Sequence, residues 1–145
     1  MKKILVALDG SPRAPSVFAA ASTLAAKFGA ELTLLQAVGI PAHLPSEALG
    51  MAPGELGEFL RGNALKYLRG FEGAAGAPAG LRVRAEIGTP WRTICAVADE
   101  EHTDLIVLGS HGYDAVDRFL GTTAAKVVNH ASVSVHVVRA PQPAL

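Results

Sequence analysis

The sequence predicts an α/β fold: a single-domain open parallel sheet of five strands with helices on both faces. Two observations carry this prediction. Short apolar runs, such as Ile4 to Leu8 and Leu105 to Leu108, stop abruptly at Asp9-Gly10 and Gly109. Buried parallel strands end in this way at the carboxyl edge of a sheet. Between such runs lie stretches with apolar residues at helical spacing, opened by Ser-Pro or Thr-Pro. Repeated strand–helix units of this length form parallel sheets covered by helices.

The first strand is Ile4 to Leu8, closed by Asp9-Gly10-Ser11. Ser11 and Pro12 read as the cap and first position of a helix. Val17, Phe18, Ala21, Leu24, Ala25 and Phe28 give that helix its apolar face, and Gly29 ends it. Leu32 to Val38 is the second strand. Residues 39–54 are rich in Pro, Gly and Ala and read as a long, mobile loop. A second helix is expected from about Glu55 to Arg69, with Leu56, Phe59, Leu60, Leu65 and Leu68 as its apolar positions. The low-complexity stretch GFEGAAGAPAG reads as a linker. Leu81 to Ile87 alternates apolar and charged residues, as an exposed third strand does.

Gly88-Thr89-Pro90 ends that strand and opens a third helix, with Ile94, Val97 and Ala98 facing the sheet. Leu105 to Leu108 is the fourth strand, a fourth helix runs from near Thr122 to about His130, and Val133 to Val138 is the fifth strand. Residues 1–140 form the expected domain and 141–145 a tail.

Composition narrows the function. The chain has 145 residues, half of them hydrophobic, which is enough for one folded core. Its formal net charge is zero, so nothing points to nucleic acid or an anionic membrane. The single cysteine, Cys95, excludes an internal disulfide and suits a reducing cytoplasm. The start MKKILVALDG is too short an apolar run for a signal peptide, and no stretch is long enough to span a bilayer.

The chemistry concentrates in residues 105–123, LIVLGSHGYDAVDRFLGTT. An apolar strand runs into Gly109 and Gly112, and Gly121-Thr122-Thr123 opens a helix. Glycines let a backbone come close to a ligand, and a helix N-terminus favours an anion. Together they suggest a phosphate or nucleotide site; the plainer reading is a tight strand-to-helix turn. Neither GxxxxGK[ST] nor GxGxxG occurs.

This stretch resembles the signature of the universal stress protein family: Gly, two residues, Gly, nine residues, then Gly with Ser or Thr. Gly109-Ser110-His111-Gly112 matches the first half and Gly121-Thr122 the second. The middle, Tyr113 to Leu120, has eight residues instead of nine. Within a helix, one residue fewer would rotate all later positions by about 100°. The resemblance spans nearly the whole chain. It implies a Rossmann-like sheet of order 3-2-1-4-5 and a ligand crevice between strands one and four. It further implies that ATP, or AMP or another adenine nucleotide, binds there with Mg²⁺ in a stress-responsive homodimer.

On that basis Ala7, Leu8 and Asp9 form one wall of the crevice, and Ala37 and Val38 lie against the base. Gly109 and Gly112 approach ribose and phosphate, with His111 lining the pocket between them. Gly121, Thr122 and Thr123 donate to the phosphates. Asp9 reads either as a ligand for adenine or ribose or as a cap for the turn. A receiver domain also ends its first strand in Asp, but the acidic partner and the later phosphorylated Asp are missing here. His43, His102, His130 and His136 show no metal-ligand spacing, and Cys95 reads as buried and inert. Arg118 and Lys126 flank Gly121-Thr122 as phosphate partners or as surface charges.

The fifth strand is short, apolar and free of lysine and proline. Such an edge pairs readily, and the family resemblance implies dimers through it. Val133, Val135 and Val137 lie on one face and Ser134, His136 and Val138 on the other. Two further readings stay open: an interaction module of the same family that binds no nucleotide and acts on a regulatory partner, and a slow ATP hydrolase, for which no general base is apparent.

Overall fold

The computed structural model describes residues 1–40, 50–110 and 120–139. Five parallel strands form one sheet: β1 (Lys3–Ala7), β2 (Glu31–Val38), β3 (Arg82–Ile87), β4 (Leu105–Gly109) and β5 (Ser134–Val138). Four helices connect them: α1 (Ala14–Phe28), α2 (Pro53–Arg69), α3 (Pro90–Glu100) and α4 (Thr122–His130). The sheet order is β3-β2-β1-β4-β5, as the family resemblance implies.

Strand alternation sorts the core into two layers. Ile4, Val6, Leu32, Leu34 and Val107 face α1 and α2, meeting Val17, Phe18, Ala21 and Leu68. Leu5, Leu35, Ile106 and Leu108 face the other way, onto Ile94 and Val97 of α3 and Ala124 and Val127 of α4. The chain therefore winds in one direction from β1 to β3 and then crosses the sheet to β4. The winding reverses between β1 and β4, where the carboxyl ends of the strands leave a crevice.

Several sequence expectations need correction. Helix α1 starts at Ala14, not at Pro12, and Ser11 is not its cap. The Ser11 N–H donates to Asp9 Oδ1 at 2.9 Å, and Ser11 Oγ accepts from the Arg13 N–H at 3.3 Å. These local bonds compete with the helix and hold residues 9–13 in a turn. Phe28 lies at the helix end and is largely exposed. Helix α2 starts at Pro53, inside the expected loop: proline suits a first helical turn, and Glu55 Oε2 accepts the Ala52 N–H at 3.3 Å. Residues 41–49 of that loop lie outside the described residues.

The stretch after α2 is more than a linker. Its turns fold Phe71 back, with its ring centroid 4.9 Å from Phe18 and 5.5 Å from Tyr67. Ala74 and Ala77 then pack on the same layer. A single aromatic anchor among small residues supplies burial that composition alone hides. Strand β3 is only partly exposed: Ala85 is fully buried, while Arg84 pairs with Glu86, Glu100 and Glu101. The tail expected at 141–145 lies outside the described residues.

Asp104 ties the N-terminus to β4. Its Oδ2 accepts the N–H groups of Lys2 at 2.8 Å and Lys3 at 2.9 Å, and these bonds hold its carboxyl below the ordinary carboxylate range. A depressed native pKa stabilises the fold above the unfolded pKa, and that stability is lost as pH falls through the native pKa. Asp104→Asn should therefore be less stable than wild type at pH 7, with the gap closing below about pH 4. Denaturant titrations across that range check this, and a gap independent of pH contradicts it.

Candidate functional site

At the carboxyl ends of β1 and β4 lies a cleft of about 240 Å³. Ala7, Leu8 and Asp9 at the end of β1 and Leu108 and Gly109 at the end of β4 line it, with Ala37 of β2 beside them. Helix α1 and its entry turn contribute Ser11, Arg13, Ala14 and Val17. Pro90 and Ile94 come from α3, and Gly121, Thr122, Thr123 and Ala124 from the start of α4. Gly109 from the first half of the glycine-rich pattern and Gly121-Thr122 from the second thus meet Asp9 in one crevice.

The small residues have a geometric reason to be there. Ala7, Ala37 and Gly109 sit where β1, β2 and β4 end side by side, and their short side chains leave the sheet edge open. Asp9 is exposed, and its Oδ1 is committed to the Ser11 N–H. Asp9 therefore supports the turn and also lines the cleft.

Gly121 fixes the entry to α4. Its N–H donates to the Ser110 carbonyl at 2.7 Å, and the Ser110 N–H donates to the Val138 carbonyl at 2.9 Å. Gly121 is extended, at φ −62° and ψ 163°, so α4 begins afresh at Thr122. No continuous helix therefore runs through Gly121 into Thr122 and Thr123. No side chain caps α4, and its first N–H groups have no earlier helical turn to pair with. They and the two threonine hydroxyls form a donor-rich rim suited to an anion.

Some expected residues are not among the described lining. His111 and Gly112 lie outside the described residues, as does Arg118. Val38 pairs with Ile87 one residue beyond Ala37 and is absent from the described lining. Lys126 is exposed, with Nζ 5.4 Å from the centre of the Trp91 ring, which also stacks on His130 at 4.6 Å. Lys126 is not among the described lining residues. Cys95 is half-buried, not buried; burial and then Asp99 push its thiol pKa up, which keeps it protonated. Among the described residues no group of three His, Cys, Asp or Glu side chains gathers into a metal site. No helix among them is long and apolar enough to cross a membrane.

Sequence reasoning misses the wall formed by α1 and α3. Arg13 lies four residues after Asp9 at the mouth of the first helix, but that spacing does not signal that it shares a cleft with α4. Val17 and Ile94 read as core positions, yet each also reaches the cleft.

Known proteins share this architecture. The universal stress protein UspA from Lactobacillus plantarum is 31% identical, with a TM-score of 0.73 over 95% of this chain and 97% of that one. A Staphylococcus haemolyticus protein named for universal stress proteins is 31% identical, over 95% of this chain and 84% of its own length. A universal stress protein solved in complex with cAMP has the same fold at 23% identity, with a TM-score of 0.69 over 95% of this chain and 96% of that one. The sequence profile of the universal stress protein family matches residues 1–139. With the sheet order and the glycine-rich pattern already in place, the chain belongs to the universal stress protein family.

Proposed function

We propose that the cleft binds an adenine nucleotide, ATP with Mg²⁺ or AMP, and that the protein acts in stress response as a cytoplasmic homodimer. One observation carries the nucleotide reading: Asp9, Gly109 and the uncapped start of α4 line a single crevice at the switch point of the sheet. Apolar Ala37, Ile94 and Val17 offer a surface for a base, Asp9 a partner for ribose or adenine hydrogens, and Gly121 to Thr123 donors for phosphate. Gly112 and His111 complete the site in this reading. The bound cAMP of the family member supports the ligand class. At about 240 Å³ the cleft falls just below the roughly 300–1,000 Å³ range of small-molecule sites, so it suits a mononucleotide better than a dinucleotide. Asp9 is the one carboxylate among the described lining residues, so Mg²⁺ would be carried mainly by the phosphates.

Protein purified without added nucleotide and then denatured should release AMP or ATP, identified by chromatography and mass. Release of neither, together with no uptake of added nucleotide, contradicts the proposal and favours the interaction-module reading.

Dimerisation rests on β5. This strand is at the sheet edge and pairs only with β4 among the described strands. Val133, Val135 and Val137 pack on the protomer's own core, while Ser134 and His136 are exposed. A His136→Glu change brings two like charges together across a two-fold axis without touching that core. Sedimentation at micromolar concentration should show wild-type dimers and a shift toward monomers in the variant, with unchanged circular dichroism. A monomeric wild type contradicts dimerisation, and a dimeric variant moves the interface away from β5.

A further inference from the structure

We infer that Arg13 makes the cleft selective for the phosphorylated form of its ligand, a specificity role that rests on the nucleotide reading above. Among the described lining residues only Asp9 and Arg13 carry a charge at neutral pH. Among the described lining residues the two cancel, and without Arg13 only the carboxylate remains, which repels a phosphate. Arg13 is therefore the one cation that the described lining offers to an anionic ligand.

The backbone of Arg13 is fixed for this task. Its N–H donates to Ser11 Oγ at 3.3 Å, and its carbonyl accepts the N–H groups of Ser16 at 3.1 Å and Val17 at 3.2 Å. The Ser11 carbonyl accepts the Ala14 N–H at 3.0 Å, and the Ser11 N–H is tied to Asp9. The side chain thus starts from a pinned turn, which lowers the backbone ordering cost of binding. Arginine also offers a planar fork of donors that matches phosphate oxygens. It stands on the α1 side of the cleft, while Thr122 and Thr123 stand on the α4 side. A phosphate between them meets a full charge from one side and helix N–H groups from the other.

Adenosine and AMP separate this inference from the nucleotide reading itself, because they differ only in the phosphate. Calorimetric titration of both, without Mg²⁺, should show wild type preferring AMP, with the preference shrinking as salt rises. Arg13→Gln should weaken AMP about 10- to 100-fold and leave adenosine within about twofold, whereas Arg13→Lys should keep part of the preference. Circular dichroism reports the fold of each variant, and the wild-type salt dependence tests the charge even if Arg13→Gln fails to fold. A wild type that binds AMP and adenosine alike, or a folded Arg13→Gln that loses both equally or neither, overturns the role of Arg13 alone. A wild type that binds neither ligand overturns the nucleotide reading and this inference with it.

Discussion

Leu5→Ala is expected to cost about 3–4 kcal/mol of folding stability. Leu5 is fully buried on β1, the middle strand of the sheet, directly opposite Ile106 of β4. It packs in the layer that holds α3 and α4 against the sheet. Strands on both sides of β1 are fixed by hydrogen bonds, so the hole left by truncation cannot collapse easily. Against a typical total of about 5–15 kcal/mol, this is a large share, and the melting temperature should fall by about 10 °C. Val128→Ala is the matched control: Val128 is 46% exposed on α4, and its loss should stay within about 0.5 kcal/mol. Urea denaturation of the two variants checks this. Equal losses would mean that the layer of Leu5 does not carry the stability of the fold.

Ala37→Phe should weaken adenine nucleotide binding by more than about 50-fold, because a ring would project where the base is placed. Ala37 is half-buried at the end of β2 and lines the cleft, so the fold has room to keep its sheet while the ligand loses its place. Overpacking of this kind costs about 1–3 kcal/mol, within the reserve of a stable domain. Asp9→Ala should do less, about tenfold, since it removes one polar partner and the support of the entry turn. Titration of AMP into each variant, with circular dichroism as the control for folding, checks the order. An Ala37→Phe protein that folds and binds like wild type would move the base elsewhere.

The alternation of strand and helix is legible because each strand is a short apolar run closed by a glycine or a polar turn. The glycine-rich pattern likewise locates the crevice, since Gly109 and Gly121 must lie where β4 ends and α4 begins. The failures have two causes: local side-chain bonds compete with a helix start, and tertiary contacts outvote local signals. Ser11-Pro12 looks like a helix start, but the Asp9 carboxylate captures the Ser11 N–H and delays the helix to Ala14. The glycine- and alanine-rich stretch after α2 looks like a linker, yet Phe71 finds Phe18 from 53 residues away in sequence. Arg13 is hidden from local reading because its value comes from sharing a cleft with Asp9 and α4, a proximity that no spacing displays. An extended Gly121 excludes a continuous helix running into Thr122, while residues 113–119 of the eight-residue interval lie outside the described residues.

Whether this cleft holds an adenine nucleotide is decided by calorimetric titration of the full-length protein with AMP and with Mg-ATP. Saturable binding of one nucleotide per chain is expected, with a melting temperature that rises with ligand and loss of both signals in Ala37→Phe. Absence of heat and of any thermal shift at millimolar nucleotide, with protein shown to be folded and free of bound ligand, would contradict nucleotide binding.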